Sequence, residues 1–315
     1  MSQTTGTFSS YDARGNREDL SDMIYDVSPM ETPFITRAAK IKAKATLHEW
    51  QTDALNSASA TAQIEGDEIG SYDSTPATTR YGNYTHILRR TGVITDTQEA
   101  VSKAGRDSEM AYQVPRRLKE LKRDIETVML DNNAKVQGND STAREAAGVP
   151  AWIPAANVDK NGSTDATGDG TDARSGGTDR ALTESSLKDV LRKVYDASGE
   201  QPGVILCSPF NKQMISGFSG NATRMDKSED KKLYATIDVY VGDFGELEIL
   251  PSRYCETDMV YVLNMDFWKV AELRPAYKKD MGINGDAEKF AVYWEGTLQA
   301  SNPKASGLVA DVTNS

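Results

Sequence analysis

The feature that most constrains the fold is a set of apolar residues that recur at spacings of three and four between positions 106 and 133. This spacing places them on one face of a long α-helix, whose opposite face is densely charged. Pro115 lies inside the set, and an interior proline costs about 3 kcal/mol, so we expect a kink or a second helix start there. The apolar set comprises Met110, Val114, Leu118, Leu121, Ile125, Val128 and Met129.

Two short segments on either side of a polar stretch are typical of paired strands. Residues 46–51 and 84–89 alternate in polarity and carry β-branched and aromatic side chains. The stretch between them, residues 53–82, has too little apolar surface for a core of its own. Because so long a loop is unusual in a compact domain, its presence indicates a function such as reaching a partner. The sequence therefore predicts a hairpin with a long tip.

The remainder of the chain mixes helix and strand patterns, which predicts an α+β fold. Residues 155–180 are a low-complexity run of Asn, Asp, Gly, Ser and Thr, which predicts a flexible loop; weak cation binding is the alternative. The predicted elements after this loop are helices over 183–195 and 209–217, and strands over 203–207, 236–242, 246–250, 259–263, 267–274 and 289–300.

The first 40 residues are expected to form an extended arm. Pro29 and Pro33 each force the preceding residue toward an extended backbone, which disfavours a continuous helix. A short helix is predicted around Glu18–Tyr25, with a capping residue near Asn16.

The charge balance argues against binding to nucleic acid or to an anionic membrane as the main task. The chain has 36 Lys and Arg residues against 47 Asp and Glu residues, a net charge of -11. Its apolar runs are too short to span a bilayer, and no signal peptide is visible. Cys207 and Cys255 form neither a CxxC motif nor a disulfide framework, which suits a reducing compartment.

Motifs for catalysis are absent from the sequence. His48 and His86 lie on the two predicted hairpin strands, where packing across the strands is favoured over a zinc site because further ligands are lacking. There is no GxSxG elbow and no phosphate-binding glycine loop, and the DFG triplet at 243–245 lacks the other kinase motifs. We therefore expect no enzyme activity, no metal and no cofactor.

A group of short segments, none of them catalytic, carries a resemblance to a known family in combination. They lie at 180–183, 209–212, 215–218, 238–245, 273–275, 285–289 and 302–307. With the order of the predicted elements, they resemble the major capsid proteins of tailed bacteriophages, which share the Hong Kong 97 fold, and in particular a podovirus-type subfamily. The likeness spans most of residues 20–312.

The resemblance implies a division of the chain into named parts. These are an N-terminal arm (1–40), an E-loop (41–95), a P-domain (96–154) with its spine helix (about 106–133), a flexible insertion (155–180), an A-domain (181–267), returning P-domain strands (268–300) and a final segment that rejoins the A-domain (301–315).

The resemblance also implies a function. Such a coat protein would assemble into hexamers and pentamers of an icosahedral head around double-stranded DNA, without sequence-specific contact to it. Portal, scaffold and decoration proteins are the implied partners, and the virion, assembled in the host cytoplasm, is the implied location. The alternatives are a nanocompartment shell of the encapsulin type, another virion component such as a tail-tube or decoration protein, and a soluble enzyme.

Charged groups suggest where neighbouring subunits meet. In the family the E-loop of one subunit lies over the P-domain of the next, so the acids of the loop are expected to contact basic residues of a neighbour's spine helix. Between Thr46 and Arg80 the loop contains no lysine, so we expect none of the covalent crosslinking through an E-loop lysine that some members show. The contact candidates are Glu65, Asp67 and Glu68 on the loop and Arg116, Arg117, Lys119 and Arg123 on the helix.

Overall fold

The structure, a computed structural model, describes residues 31–70, 72–103, 105–218, 239–242, 244–282 and 285–313. The helix expected around residues 18–25 and most of the predicted arm lie outside these ranges. The α-helices are α1 (Pro33–Arg37), α2 (Asp96–Ala100), α3 (Glu109–Leu130), α4 (Val149–Trp152), α5 (Glu184–Ser198) and α6 (Pro209–Ser216).

The long helices begin at side chains that cap them. Ser108, Thr183 and Ser208 each accept a hydrogen bond from the backbone N–H three residues ahead, which satisfies a donor that the first turn leaves unpaired. The long amphipathic helix is confirmed as α3. It continues through Pro115 as one element, so the alternative of a second start is wrong.

The strands are organised in three sheets. A four-stranded sheet has the order β1-β10-β11-β4, a six-stranded sheet the order β5-β12-β9-β6-β8-β7, and β2 pairs with β3 alone. The strands are β1 (Ala39–Lys42), β2 (Leu47–Thr52), β3 (Thr79–Tyr84), β4 (His86–Thr95), β5 (Val158–Asp159), β6 (Val204–Cys207), β7 (Val239–Gly242), β8 (Gly245–Pro251), β9 (Met259–Leu263), β10 (Trp268–Met281), β11 (Ala287–Ala300) and β12 (Gly307–Ala310).

The predicted hairpin exists, but its return strand was misplaced. The strand opposite β2 is β3, at residues 79–84, whereas most of the predicted segment 84–89 belongs to β4 and pairs with β11. Thr85 divides the two strands because its hydroxyl donates to the buried carboxylate of Glu295, 3.0 Å away. His48 and His86 therefore belong to different sheets and do not face each other; His48 Nε2 lies 2.8 Å from Gln299 Oε1 instead.

The larger core lies between α3 and the four-stranded sheet. Leu121, Ile125 and Met129 of the helix are buried in one cluster with Phe290 and Trp294 of β11. Full burial of such a side chain contributes about 1.5–3 kcal/mol, so the amphipathic face of α3 is stabilised mainly by this packing. The second core lies between α5 and the six-stranded sheet.

The segment 155–180 is packed, contrary to the flexible loop that its composition predicts. Asp311, at the end of β12, accepts hydrogen bonds from the backbone N–H of Asn161 and Gly177 and from the hydroxyl of Ser163. The guanidinium of Arg174 is buried and lies 2.9 Å from the Asp311 carboxylate. Polar groups of the segment thus find partners more than a hundred residues away, which local composition cannot reveal.

A buried carboxylate fixes α1 near the C-terminal end of α3. Glu126 is fully buried, and its two oxygens accept the backbone N–H groups of Phe34 and Ile35 at 2.8 Å each. Burial raises the pKa of Glu126, while these two hydrogen bonds act in the opposite direction. The first described helix is therefore held at a defined place on the long one.

Candidate inter-subunit contact site

The β2–β3 hairpin has a rigid aromatic base. Trp50 and Tyr81 lie against Trp152, with ring centroids 5.1 Å and 6.2 Å away. The ammonium group of Lys135 lies 5.5 Å from the Trp152 ring and donates to the backbone oxygens of Gly82 and Asp169, both at 2.9 Å. Burial lowers the pKa of this lysine. These contacts fix the direction in which the chain leaves the body.

Beyond this base, the chain from residue 53 to residue 78 forms a loop that projects from the body, and we call it the projecting loop. Each of its described residues is exposed. Four large apolar side chains are included: Leu55 is 99%, Ile64 81%, Ile69 76% and Tyr72 88% exposed. Exposed apolar surface on this scale marks a site of interaction with another molecule. Sequence analysis selected the loop for its acids and missed these side chains, although their spacing in an otherwise small and polar segment was a usable signal.

The predicted acids lie near the middle of the projecting loop. A turn places them there, with the backbone N–H of Asp67 donating to the carbonyl of Ile64 at 3.0 Å. Glu65, Asp67 and Glu68 are all exposed, and none forms an ion pair with another residue of the described chain. The loop is thus an acidic and apolar surface without a partner in its own subunit.

The predicted basic residues of α3 are partly engaged within their own chain. The carboxylate of Glu120 lies 2.6 Å from Arg117 and 3.6 Å from Arg116. Lys119 is exposed and Arg123 is half-buried. The structure brings none of these residues together with the acids of the projecting loop within one subunit, so a contact between the two sets stays a prediction.

A second exposed surface escaped sequence analysis. It is formed by the end of β10, the start of β11 and β4, on the face of the four-stranded sheet opposite α3. Strand register places Tyr277, Tyr293 and Arg89 side by side. Lys279 and Met281, two and four residues further along β10, extend the same face. The salt bridge between Arg90 and Asp124 of α3 shows that even-numbered residues of β4 face the helix, so odd-numbered ones face away. In the sequence, this surface was indicated only by the alternation of side chains along β4, which places every second residue on the same face.

Buried ionisable groups elsewhere are engaged in structural contacts. Arg174 lies within 3.7 Å of the carboxylates of Asp165, Asp258 and Asp311. Burial and the neighbouring Asp131 carboxyl raise the pKa of Glu256 to about 7. Within the described ranges, no group of three or more His, Cys, Asp or Glu side chains is arranged to hold a metal ion. No helix in that part of the chain has both the length and the apolar character needed to cross a bilayer.

Nearly the whole chain is similar in sequence to known capsid proteins. A family model described as SU10 major capsid protein matches residues 3–313. The major capsid protein of Escherichia phage Phieco32 is 26% identical over an alignment 339 residues long, gaps included, that covers 96% of this chain and 96% of its own.

Solved structures share the fold. The capsid asymmetric unit of cyanophage A-1(L) has a TM-score of 0.69 at 14% identity and covers 95% of this chain and 97% of its own. A native GTA particle capsid has a TM-score of 0.63 at 11% identity, with coverage of 96% and 98%. Gordonia phage Cozz has a TM-score of 0.61 at 13% identity, with coverage of 98% and 96%. The expected α+β coat fold of the Hong Kong 97 type is confirmed.

Proposed function

Since this chain belongs to the SU10 major capsid protein family, and is therefore a shell protein of a phage virion, we propose that it assembles as hexamers and pentamers into a closed icosahedral head around double-stranded DNA. The observation that carries the proposal is the family match over nearly the whole chain, together with the coat fold. The same match favours a capsid shell over an encapsulin-type nanocompartment, another virion component or a soluble enzyme.

Parts of the fold correspond naturally to the parts that the family resemblance implies. We assign α3 and the four-stranded sheet to the P-domain, and α5 with the six-stranded sheet to the A-domain. The β2–β3 hairpin with the projecting loop becomes the E-loop. The segment 155–180 supplies β5 of the six-stranded sheet, which supports its inclusion in the A-domain rather than as a separate insertion.

The projecting loop is the element that links subunits in this proposal. A rigid aromatic base directs it outward, and four exposed apolar side chains offer surface that a neighbour can bury. About 13 residues in each arm, at up to ~3.3 Å per residue, reach roughly 40 Å, which is enough to cross onto an adjacent subunit. Pairing of its acids with Arg116, Arg117, Lys119 or Arg123 of that neighbour remains the prediction from sequence.

Further parts of the proposal concern chemistry and partners. The protein acts as a structural component without enzymatic activity, and its projecting loop forms no covalent crosslink, because it contains no lysine. Gels of boiled and reduced particles should show monomers only; a ladder of multimers would contradict this. Portal, scaffold and decoration proteins are the expected additional partners, and the packaged DNA makes contacts that do not depend on sequence.

Negative-stain electron microscopy of the purified full chain, with light scattering across a salt series, tests the proposed function. Closed shells, or rings of five and six subunits that close into shells, are the expected result. A protein that stays monomeric or dimeric under every salt condition would contradict assembly by the chain alone.

A further inference from the structure

The two larger sheets have four edge strands, and three of these edges are protected against pairing with a further strand. On β1 the protection comes from Lys40 and Lys42, and on β4 from two adjacent arginines, because charged side chains disfavour such pairing. The third edge, β5, has only two residues, and the ammonium group of Lys193 donates to its Val158 carbonyl at 2.9 Å. The fourth edge, β7, has the sequence Val-Tyr-Val-Gly and carries no charge.

The β7 edge presents both backbone groups and apolar side chains. Two residues separate Gly242 from Gly245 of β8, so Gly242 and Tyr240 form the hydrogen-bonded pairs with that strand. The N–H and C=O groups of Val239 and Val241 then point away from β8. The side chains of these valines are 48% and 66% exposed, whereas Tyr240 packs against the second core. An edge of this kind is a template for one more strand.

The N-terminal part of the chain is anchored close to this edge. Helix α1 is fixed to α3 by the Glu126 carboxylate, and at its other end it is fixed to β8. There Nη1 and Nη2 of Arg37 donate to the two carboxylate oxygens of Glu248 at 2.7 Å and 2.6 Å. Glu248 lies opposite Val239 in the strand register, so the two side chains share one face of the sheet. The guanidinium of Arg37 is therefore only one strand away from the open edge.

The sequence before α1 contains a segment suited to this edge. Residues 1–11, the beginning of the predicted arm, have no charged side chain, and most of them are Thr, Ser, Phe or Tyr. Thr, Phe and Tyr are enriched in strands, and a segment without charge can lie beside the uncharged β7. The 19 residues at 12–30 link this segment to the described chain. At up to ~3.3 Å per residue they reach roughly 60 Å, which is ample for a strand that is only one position away.

We propose that residues 1–11 pair with β7 of the same chain, as a seventh strand of the six-stranded sheet in the unassembled subunit. The added strand binds the outward backbone groups of Val239 and Val241, and its side chains pack beside the two valines. It protects the edge from pairing with other copies of the chain before assembly. The inference concerns a single subunit, so it can be tested separately from the proposed shell function.

Hydrogen exchange of the dilute, unassembled protein tests the pairing. Amides in the peptide over 239–242 should exchange about tenfold more slowly in the full chain than in a variant that lacks residues 1–11. Exchange in the peptide over 259–263, from the internal strand β9, should be the same in both proteins, which establishes that the variant is folded. Equal exchange of 239–242 in the two proteins, whether fast or slow, would overturn the proposal.

Proline substitutions separate the loss of a strand from the loss of chain length. Thr4→Pro with Thr7→Pro removes two N–H donors, and one of the two faces β7 in any register because strand residues alternate. This variant should exchange like the deletion variant. The matched control, Thr4→Ser with Thr7→Ser, keeps both donors and should exchange like the wild type. Wild-type exchange in the proline variant would contradict a hydrogen-bonded strand.

Disulfide formation identifies the copy that supplies the strand. Val241→Cys is combined in separate variants with Thr4→Cys, Thr7→Cys or Ser10→Cys, whose spacing covers every register. The two natural cysteines are buried. Mild oxidation of dilute protein should give an intrachain disulfide in at least one variant, seen as a monomer that migrates faster without reductant. Val93→Cys in place of Val241→Cys, at a site that is 62% exposed on the other sheet, should give none.

The outcomes distinguish this inference from the proposed function. Disulfide-linked dimers would show that a second copy supplies the strand, and the absence of any crosslink would show that residues 1–11 lie elsewhere; either result overturns the inference and leaves the shell function standing. If the full chain forms neither shells nor rings while residues 1–11 still slow the exchange of β7, the proposed function fails and the inference stands.

Discussion

Two segments of equal length, 53–78 and 155–180, have similar polar compositions and opposite structures. The first carries four large apolar side chains and lies in solvent, whereas the second has Val158 as its one large apolar residue and is packed. Apolar content alone would predict the reverse. Hydrogen bonds to distant groups fix 155–180, whereas the exposed apolar side chains of 53–78 have the character of a surface for interaction with another molecule.

Glycine contributes to this difference. Gly170 has a φ of +75°, and a Cβ there would lie 2.7 Å from the Trp152 ring. Its N–H donates to the carbonyl of Ala151 at 3.1 Å, so backbone without a side chain closes over the indole. Gly66, in the projecting loop, has no atom within 4 Å of such a Cβ.

The largest effect is expected from Arg174→Met in the packed segment. Replacing Arg174 leaves the Asp311 carboxylate buried without its cation, whereas Asp165 keeps its pair with Lys160 at 2.8 Å; the unpaired Asp311 should lower the free energy of unfolding by about 3–5 kcal/mol. Urea unfolding of the unassembled protein measures this loss. Arg116→Met, which removes an exposed pair on α3, should cost less than about 0.5 kcal/mol; equal losses would show that the Arg174 contacts are not stabilising.

Asn157→Ala should have the next largest effect. The amide of Asn157 is fully buried and donates to the carbonyls of Lys304 at 2.7 Å and Ser306 at 2.9 Å. The buried carbonyl of Ser306 and the partly buried carbonyl of Lys304 would lose their donor, at a cost of about 2 kcal/mol. The matched control is Asn56→Ala in the projecting loop, where an exposed amide donates to the carbonyl of Ser74, and its cost should stay below about 0.5 kcal/mol.

The pH dependence of stability gives a third, smaller contrast. Burial and the Asp131 carboxyl raise the pKa of Glu256 from 4.5 to about 7, and the adjacent Asn132 binds the backbone of Arg174 in the packed segment. Because the folded state holds the proton of Glu256 more tightly than the unfolded state does, protonation of this carboxyl stabilises the fold. The stabilisation is complete below about pH 4.5 and is lost as the pH rises through about 7.

Glu256→Gln tests this pH dependence. In the wild type, Glu256 should lower the free energy of unfolding by about 1 kcal/mol between about pH 4.5 and 7.5; the value is small because solvent screens this partly exposed group. The variant should lack this decline. Glu65→Gln, in the projecting loop, should keep the wild-type profile. An unchanged profile in Glu256→Gln would assign the decline to other groups.

The smallest effect on stability is expected in the projecting loop. Ile64→Ser with Ile69→Ser should change the free energy of unfolding by less than about 0.5 kcal/mol, because both side chains are already in water. The same variant should assemble less than the wild type in light scattering, because its docking surface is reduced. A large loss of stability in the unassembled subunit would show that the loop packs on its own chain.

Elements with a strong local pattern could be predicted from the sequence. The helix expected over 106–133 is α3, and the strand expected over 259–263 is β9 with the same bounds. Both patterns depend on residues a few positions apart, which the sequence displays directly.

Features that depend on distant residues could not be predicted. The return strand of the hairpin ends at Tyr84 because Asn83 and Thr85 bind groups on β11. The strand expected to end before Pro275 continues to Met281, since register shifts on both sides of Arg274 accommodate the proline. The exposed surface formed by the end of β10, the start of β11 and β4 could be predicted only in part, from the alternation along β4, because it forms only once the three strands are in register.

The length of β10 and β11 has a mechanical consequence. Each strand has 14 residues, about 45 Å, and the hydrogen bonds between them lie across the strand direction. A pull along the strands loads many of these bonds together in shear, whereas a pull that separates their ends opens them one pair at a time. The four-stranded sheet therefore resists force along its strands more strongly than force across them. The direction of the force from a neighbouring subunit determines whether the sheet stays intact or its strands separate.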